Sequence, residues 1–281
     1  MKTSKNILFL LILSCFISLF TGCFYQKEIN HFKEWDGQFL YLYHPDSDNC
    51  WVIGTAPTVD EPSTVGETLC IPSHYKGKLI NSYKSHSQKN LGSPIIYHGI
   101  DITPVKKLYV PYSGLQGGLL GEYNHKTEYH PHLCGRAWEA RSSDPHLDVY
   151  VPVVGYQNEF DNASKGYTII EINNNYSFSV YNYDKEHLVT IYKANTAYMF
   201  NYEGAPNENY YFINNFERGG LIENTPYEPY REGYTFLGWY KDSDCTEIWD
   251  FETDTLPVAT YDENGELEFV ETRLYAKWSK T

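Results

Sequence analysis

The stretch Arg231-Glu232-Gly233-Tyr234-Thr235-Phe236-Leu237-Gly238-Trp239-Tyr240 packs four aromatic residues and two glycines into ten positions. How it is read decides the fold. Gly233 suits the turn that leads into a strand. From Tyr234 onward, the β period of two puts Tyr234 and Phe236 on one face. Gly238 breaks that parity, and a bend there turns Trp239 inward. Near the chain end, alternation in Leu274-Tyr275-Ala276-Lys277-Trp278 sets Leu274, Ala276 and Trp278 on one face and Tyr275 and Lys277 on the other. A unit this short has few core positions, so each buried aromatic, contributing roughly 1.5–3 kcal/mol, weighs heavily. Phe236, Trp239, Phe251, Leu274 and Trp278 are therefore expected in the core. The competing reading makes them an aromatic platform that stacks on sugar.

The wider pattern is Pro229, Arg231 to Phe236, Gly238-Trp239-Tyr240, Cys245, Trp249-Asp250-Phe251 and Leu274 to Trp278. In order and spacing it resembles the Listeria–Bacteroides repeat, the internalin B-repeat module. Met199 to Gly204 fits the first strand of the same module, so the resemblance covers about residues 188–279. It implies a small β-grasp-like domain, expected over 188–281. Residues 257–270 are longer than a compact repeat needs. They hold Asn264-Gly265 between extended runs, which predicts an added hairpin.

Toward the N-terminus the pattern is strand, turn, strand. Phe39 to Tyr43 is a β-rich run, His44 to Asn49 is turn chemistry, and Trp51-Val52-Ile53 returns. Twenty-seven tyrosines point the same way, and no long stretch beyond the chain start shows a helical apolar period. Three segments look alike: Leu69-Cys70-Ile71-Pro72, Leu108-Tyr109-Val110-Pro111 and Val149-Tyr150-Val151-Pro152. Their prolines lie 39 and 41 residues apart. Each is a short β-run stopped by a residue that cannot continue a ladder, and stacked strands of this kind are the mark of a solenoid. Ile71 to Ile80 resembles the "IPxxYxGKxV" step of BspA-like leucine-rich repeats, although those repeats are about half as long. That resemblance covers roughly residues 37–175 and implies a degenerate leucine-rich-repeat-like β domain over 37–187. The expected fold class is mainly β: a short irregular repeat, solenoid-like, followed by the small β-grasp-like domain.

The chain begins with Lys2 and Lys5, followed by an uncharged, mainly apolar run from Ile7 to Phe20. Leu19-Phe20-Thr21-Gly22-Cys23 then resembles the bacterial lipobox, with Phe20 where Leu is usual. The expectation is a lipoprotein signal peptide over 1–22, a diacylglycerol on Cys23, and a tether over 23–36. The rivals are Cys15, after Leu13-Ser14, and an ordinary cleaved signal with Cys23 as a free thiol. No second run of spanning length follows. The protein is thus expected on the cell membrane, lipid-anchored and facing outward. Removal of 1–22 leaves 20 basic and 36 acidic residues, a net charge of −16. That disfavours nucleic acid and anionic lipid as partners.

Cys50, Cys70, Cys134 and Cys245 allow three pairings, between which sequence does not choose, and free or mixed states are as open as two full bridges. His130-Pro131-His132-Leu133-Cys134 carries three metal-capable groups but lacks a second cluster at ligand spacing, so an exposed loop is expected and no metal. The run around Ser113 is not a G-x-S-x-G motif, and there is no Walker loop and no HExxH. No cofactor and no catalysis are expected. The leading expectation is a surface binding or adhesion module whose partner is a protein or glycan on a host or bacterial surface. The alternatives are a glycan- or small-molecule-binding lipoprotein and, last, a hydrolase built in residues 112–148.

Overall fold

In the computed structural model of the chain, the described residues are 32–43, 45–46, 49–54, 56–57, 64, 66–70, 72–80, 105–111, 146–166, 169–173, 176–181 and 188–281. They form a mainly β protein of several sheets. The first sheet holds β1 (Phe32–Trp35), β2 (Leu40–Tyr43), β3 (Asn49–Gly54), β5 (His74–Tyr75) and β6 (Lys78–Ile80), in the order β1-β2-β3-β6-β5. β2 and β3 are the hairpin expected from the turn chemistry at 44–49. Phe32–Trp35, expected within a tether, instead pairs antiparallel with β2. Lys76 and Gly77 link β5 to β6 at φ +47° and +75°, the two positive values of a tight hairpin turn.

The similar segments ending in proline become β4 (Thr68–Cys70), β7 (Lys107–Tyr109) and β8 (His146–Val151). They stack as neighbouring parallel strands, Leu69 beside Leu108 and Leu108 beside Val149. A fourth rung, β11 (Leu188–Lys193), lies parallel to β8 with Ile191 beside Val149. It has no closing proline, because Ala194 stands where the other rungs turn away. Residues 188–193 thus pair with this stack, and the C-terminal sheet begins at Thr196. β10 (Ser177–Tyr181) and β9 (Ile169–Asn173) complete a six-stranded sheet, β4-β7-β8-β11-β10-β9.

Period-two alternation gives this sheet two faces. Leu69, Leu108, Val149 and Ile191 are buried on one, packed with Phe39 and Tyr41 of the first sheet. A helix, α1 (Val153–Gly166), covers more of that face. Its Tyr156 rests edge-on against Phe178, with the ring centroids 5.3 Å apart. No helix is expected here from the sequence. Val153, Tyr156 and Phe160 do lie at the helical spacing i, i+3, i+7, and Pro152 accepts the first bond, from Tyr156 N at 2.8 Å. Fourteen residues with so few apolar positions leave a weak signal.

The C-terminal sheet runs β13 (Tyr210–Asn214), β12 (Thr196–Met199), β15 (Thr272–Lys280), β14 (Tyr234–Tyr240). β12 and β15 are parallel and the other pairs antiparallel. Between β14 and β15, the expected hairpin around Asn264-Gly265 is present. Tyr261 bridges Leu267, and Gly265 sits at φ +78°.

Candidate functional site

The ladder of β14 on β15 slips between Phe236 and Trp239, a bulge at Leu237-Gly238 with Gly238 at φ +126°. The slip turns Trp239 inward to 5 % exposure, its ring 5.0 Å from Tyr198 and 5.1 Å from Phe236. Leu274 is fully buried in the same cluster, and Phe236, Phe251 and Trp278 pack against it half-buried. The Trp278 indole N–H donates to Phe200 O at 2.6 Å. The five aromatic and aliphatic side chains singled out from sequence are therefore brought together in one packed cluster. Arg231 of the same stretch lays its guanidinium over Tyr234 and Tyr202, 3.6 and 4.2 Å from the ring centroids.

The second face of the strand stack forms a junction with this unit. Cys70, Tyr109, Tyr150 and Tyr192 follow one another in register. Tyr109 and Tyr150 stack at 4.6 Å, and Tyr150 and Tyr192 at 5.0 Å. Ala197, Met199, Tyr210 and Ile213 of the C-terminal sheet bury themselves against these rings, and Tyr275 packs there too. Alternation puts Tyr275 opposite Leu274, as expected, but that face meets the stack rather than solvent. Polar contacts reinforce the junction. Ser73 Oγ donates to Tyr211 O at 2.9 Å, and His74 Nδ1 lies 2.9 Å from Ser73 Oγ. The hydroxyl proton goes to Tyr211, so the imidazole proton sits on Nδ1. Burial against Phe200 lowers the His74 pKa to about 4, which keeps it neutral. Asn207 Nδ2 donates to Pro111 O, and the Tyr230 ring lies over Gly77, where a Cβ would meet it at 2.5 Å.

Between the stack and the C-terminal sheet opens a cleft of about 640 Å³. The β1–β2 turn forms its floor, with Asp36, Gln38 and Phe39. Asp36 Oδ1 accepts from Gln38 N at 2.8 Å and Phe39 N at 2.7 Å, which fixes the carboxylate. One wall is the end of β4, with Thr68, Cys70 and Pro72. The other is β13, with Tyr211, Phe212 and Asn214. Residues 224–227 cross the mouth. Tyr227 OH donates to Asp36 O at 3.1 Å, and Tyr211 OH donates to Tyr227 O at 3.0 Å. This chain of bonds ties the floor to the C-terminal unit. Among the described residues none lies within full hydrogen-bonding geometry of the buried Tyr41 hydroxyl, and burial together with the nearby Asp36 carboxylate pushes its pKa up. At the cleft wall, burial pushes the Cys70 thiol up to about 12, so it is a protonated, weakly nucleophilic group at neutral pH.

The sequence reading did not find this cleft. Cys50, Cys70 and Cys245 are free thiols. Cys23, His130, His132, Cys134 and most of the 112–148 insertion lie outside the described residues.

One comparison with known proteins bears on the C-terminal unit. Residues 198–277 match the family model of the Listeria-Bacteroides repeat domain. A protein of Evansella cellulosilytica, provisionally named a membrane protein, is 46% identical over 63 residues, 22% of this chain and 8% of that one. A second protein of that organism, provisionally named a Gly-rich membrane protein, is 43% identical over 53 residues, 19% and 5% of the two chains. The chain thus spans under a tenth of the length of these relatives.

Proposed function

We propose that this chain is a lipid-anchored bacterial cell-surface protein that acts as a non-catalytic binding or adhesion module. Its partner is a protein or glycan on a host or bacterial surface. The match of residues 198–277 to the Listeria-Bacteroides repeat domain carries the reading. The membrane names of the two relatives agree with it. On this reading residues 1–22 are the signal peptide, and acyl chains on Cys23 hold the protein stably, since more than one chain is attached. Residues 37–187 are a degenerate leucine-rich-repeat-like stack that carries the C-terminal module outward. The parallel register of its three rungs, β4, β7 and β8, supports this.

Two measurements test it. Mass spectrometry of the N-terminus is expected to find Cys23 acylated, and acylation is expected to vanish in Cys23→Ala. Protease added to intact cells is expected to digest the chain. A wild-type N-terminus elsewhere, without acyl mass, removes the anchor. For binding, the detergent-extracted chain is expected to retain a host matrix protein or an envelope glycan in pull-down. Retention of neither removes the adhesion reading.

A further inference from the structure

We infer that the cleft between the strand stack and the C-terminal sheet is a binding site for an uncharged oligosaccharide. The inference rests on the binding reading above and gives it a ligand class. The cleft's volume of about 640 Å³ falls inside the range of ligand sites, roughly 300–1,000 Å³. Its chemistry then selects. Among the described residues that line it there is no Lys, Arg or His, and Asp36 is the one acid. A phosphate, sulfate or carboxylate ligand finds no cation among these described residues and meets a carboxylate in a chain already strongly acidic. A neutral ligand rich in hydroxyls finds what it needs. Asp36 accepts from hydroxyls, while Gln38, Asn214 and Asn224 both donate and accept, matching the two-way character of an O–H group.

The apolar faces of a sugar ring also have partners. Phe212 and Phe216 pack half-buried against the C-terminal core and Tyr227 is exposed; all three line the cleft, so part of their ring surface faces it. The polar anchor is already held in place. Asp36 Oδ1 is fixed by two backbone N–H groups. The Tyr211–Tyr227–Asp36 bonds hold the two walls at a set separation. A site fixed in advance loses little ordering entropy when the ligand arrives.

The test uses the full chain purified in detergent. It is screened on an array of neutral, sialylated and sulfated glycans, and then titrated calorimetrically with cellopentaose, maltopentaose, chitopentaose and mannopentaose. At least one neutral glycan is expected to bind. Asp36→Asn keeps the turn acceptor while removing the charge, and it and Asn224→Ala on the exposed strap are each expected to weaken binding at least tenfold. Their melting midpoints are expected to stay at the wild-type value, and Val258→Ser, on a surface away from the cleft, is expected to bind as wild type. The inference is overturned if no neutral glycan binds, if only sialylated or sulfated glycans bind, or if both cleft variants bind like wild type. An acylated, surface-exposed chain that retains matrix protein but no glycan loses this inference and keeps the adhesion reading. An unacylated chain that binds glycan does the reverse for the anchor.

Discussion

Trp239 joins the bulge of β14 to the core of the C-terminal unit, and a single substitution there separates packing from recognition. Its ring is buried between Tyr198, Tyr211 and Phe236. Trp239→Ala is expected to cost about 3–5 kcal/mol through lost burial and the cavity left behind. Denaturant melts check this, and an unchanged midpoint sinks the core assignment. His74 makes a second, pH-dependent prediction. Burial lowers its pKa from 6.5 to about 4. Between those values the unfolded chain binds a proton that the folded chain refuses, so stability falls as pH falls. The contribution is complete above pH 6.5 and is lost through the window down to pH 4. The limiting slope is about 1.4 kcal/mol per pH unit. Melts of wild type and His74→Gln across that range are expected to differ in slope, with the variant flatter. Equal slopes contradict the assignment.

At the scale of the element, what was legible in the sequence had a local cause. Gly238 and the parity it breaks lie within five residues of Tyr234, so the inward turn of Trp239 follows from the segment itself. Asn264-Gly265 and the 44–49 turn signal their hairpins by turn chemistry. The three rungs closed by Pro72, Pro111 and Pro152 show themselves because each strand ends on a residue without an N–H. The fourth rung hides, because Ala194 carries no such mark, and only its pairing with β8 reveals it. α1 hides for another reason. Its inner face needs few apolar residues, since Phe178 and the stack supply the rest of the packing. The cleft was illegible altogether. Its residues come from four segments, near 36–39, 68–72, 211–216 and 224–227, which only the folded topology brings together.

At the scale of the molecule, the two units are not independent beads. Among the described residues, the cluster around Trp239 draws its members from residues 198–278, which favours folding of the C-terminal segment alone. Yet Met199, Tyr210, Ile213 and Tyr275 bury themselves against the tyrosine ladder. A fragment of residues 195–281 is therefore expected to give dispersed amide NMR peaks but to melt below the full chain. An equal midpoint counts against the junction. The parallel pairing of β12 with β15 carries a mechanical meaning as well. The chain enters the unit at Thr196 and leaves it at Lys280, and Thr196 lies beside Thr272 while Met199 lies beside Tyr275. A pull applied to the two ends of the unit drags these strands lengthwise past each other. Load then falls on every rung at once instead of unzipping them singly, which makes the unit a clamp against traction.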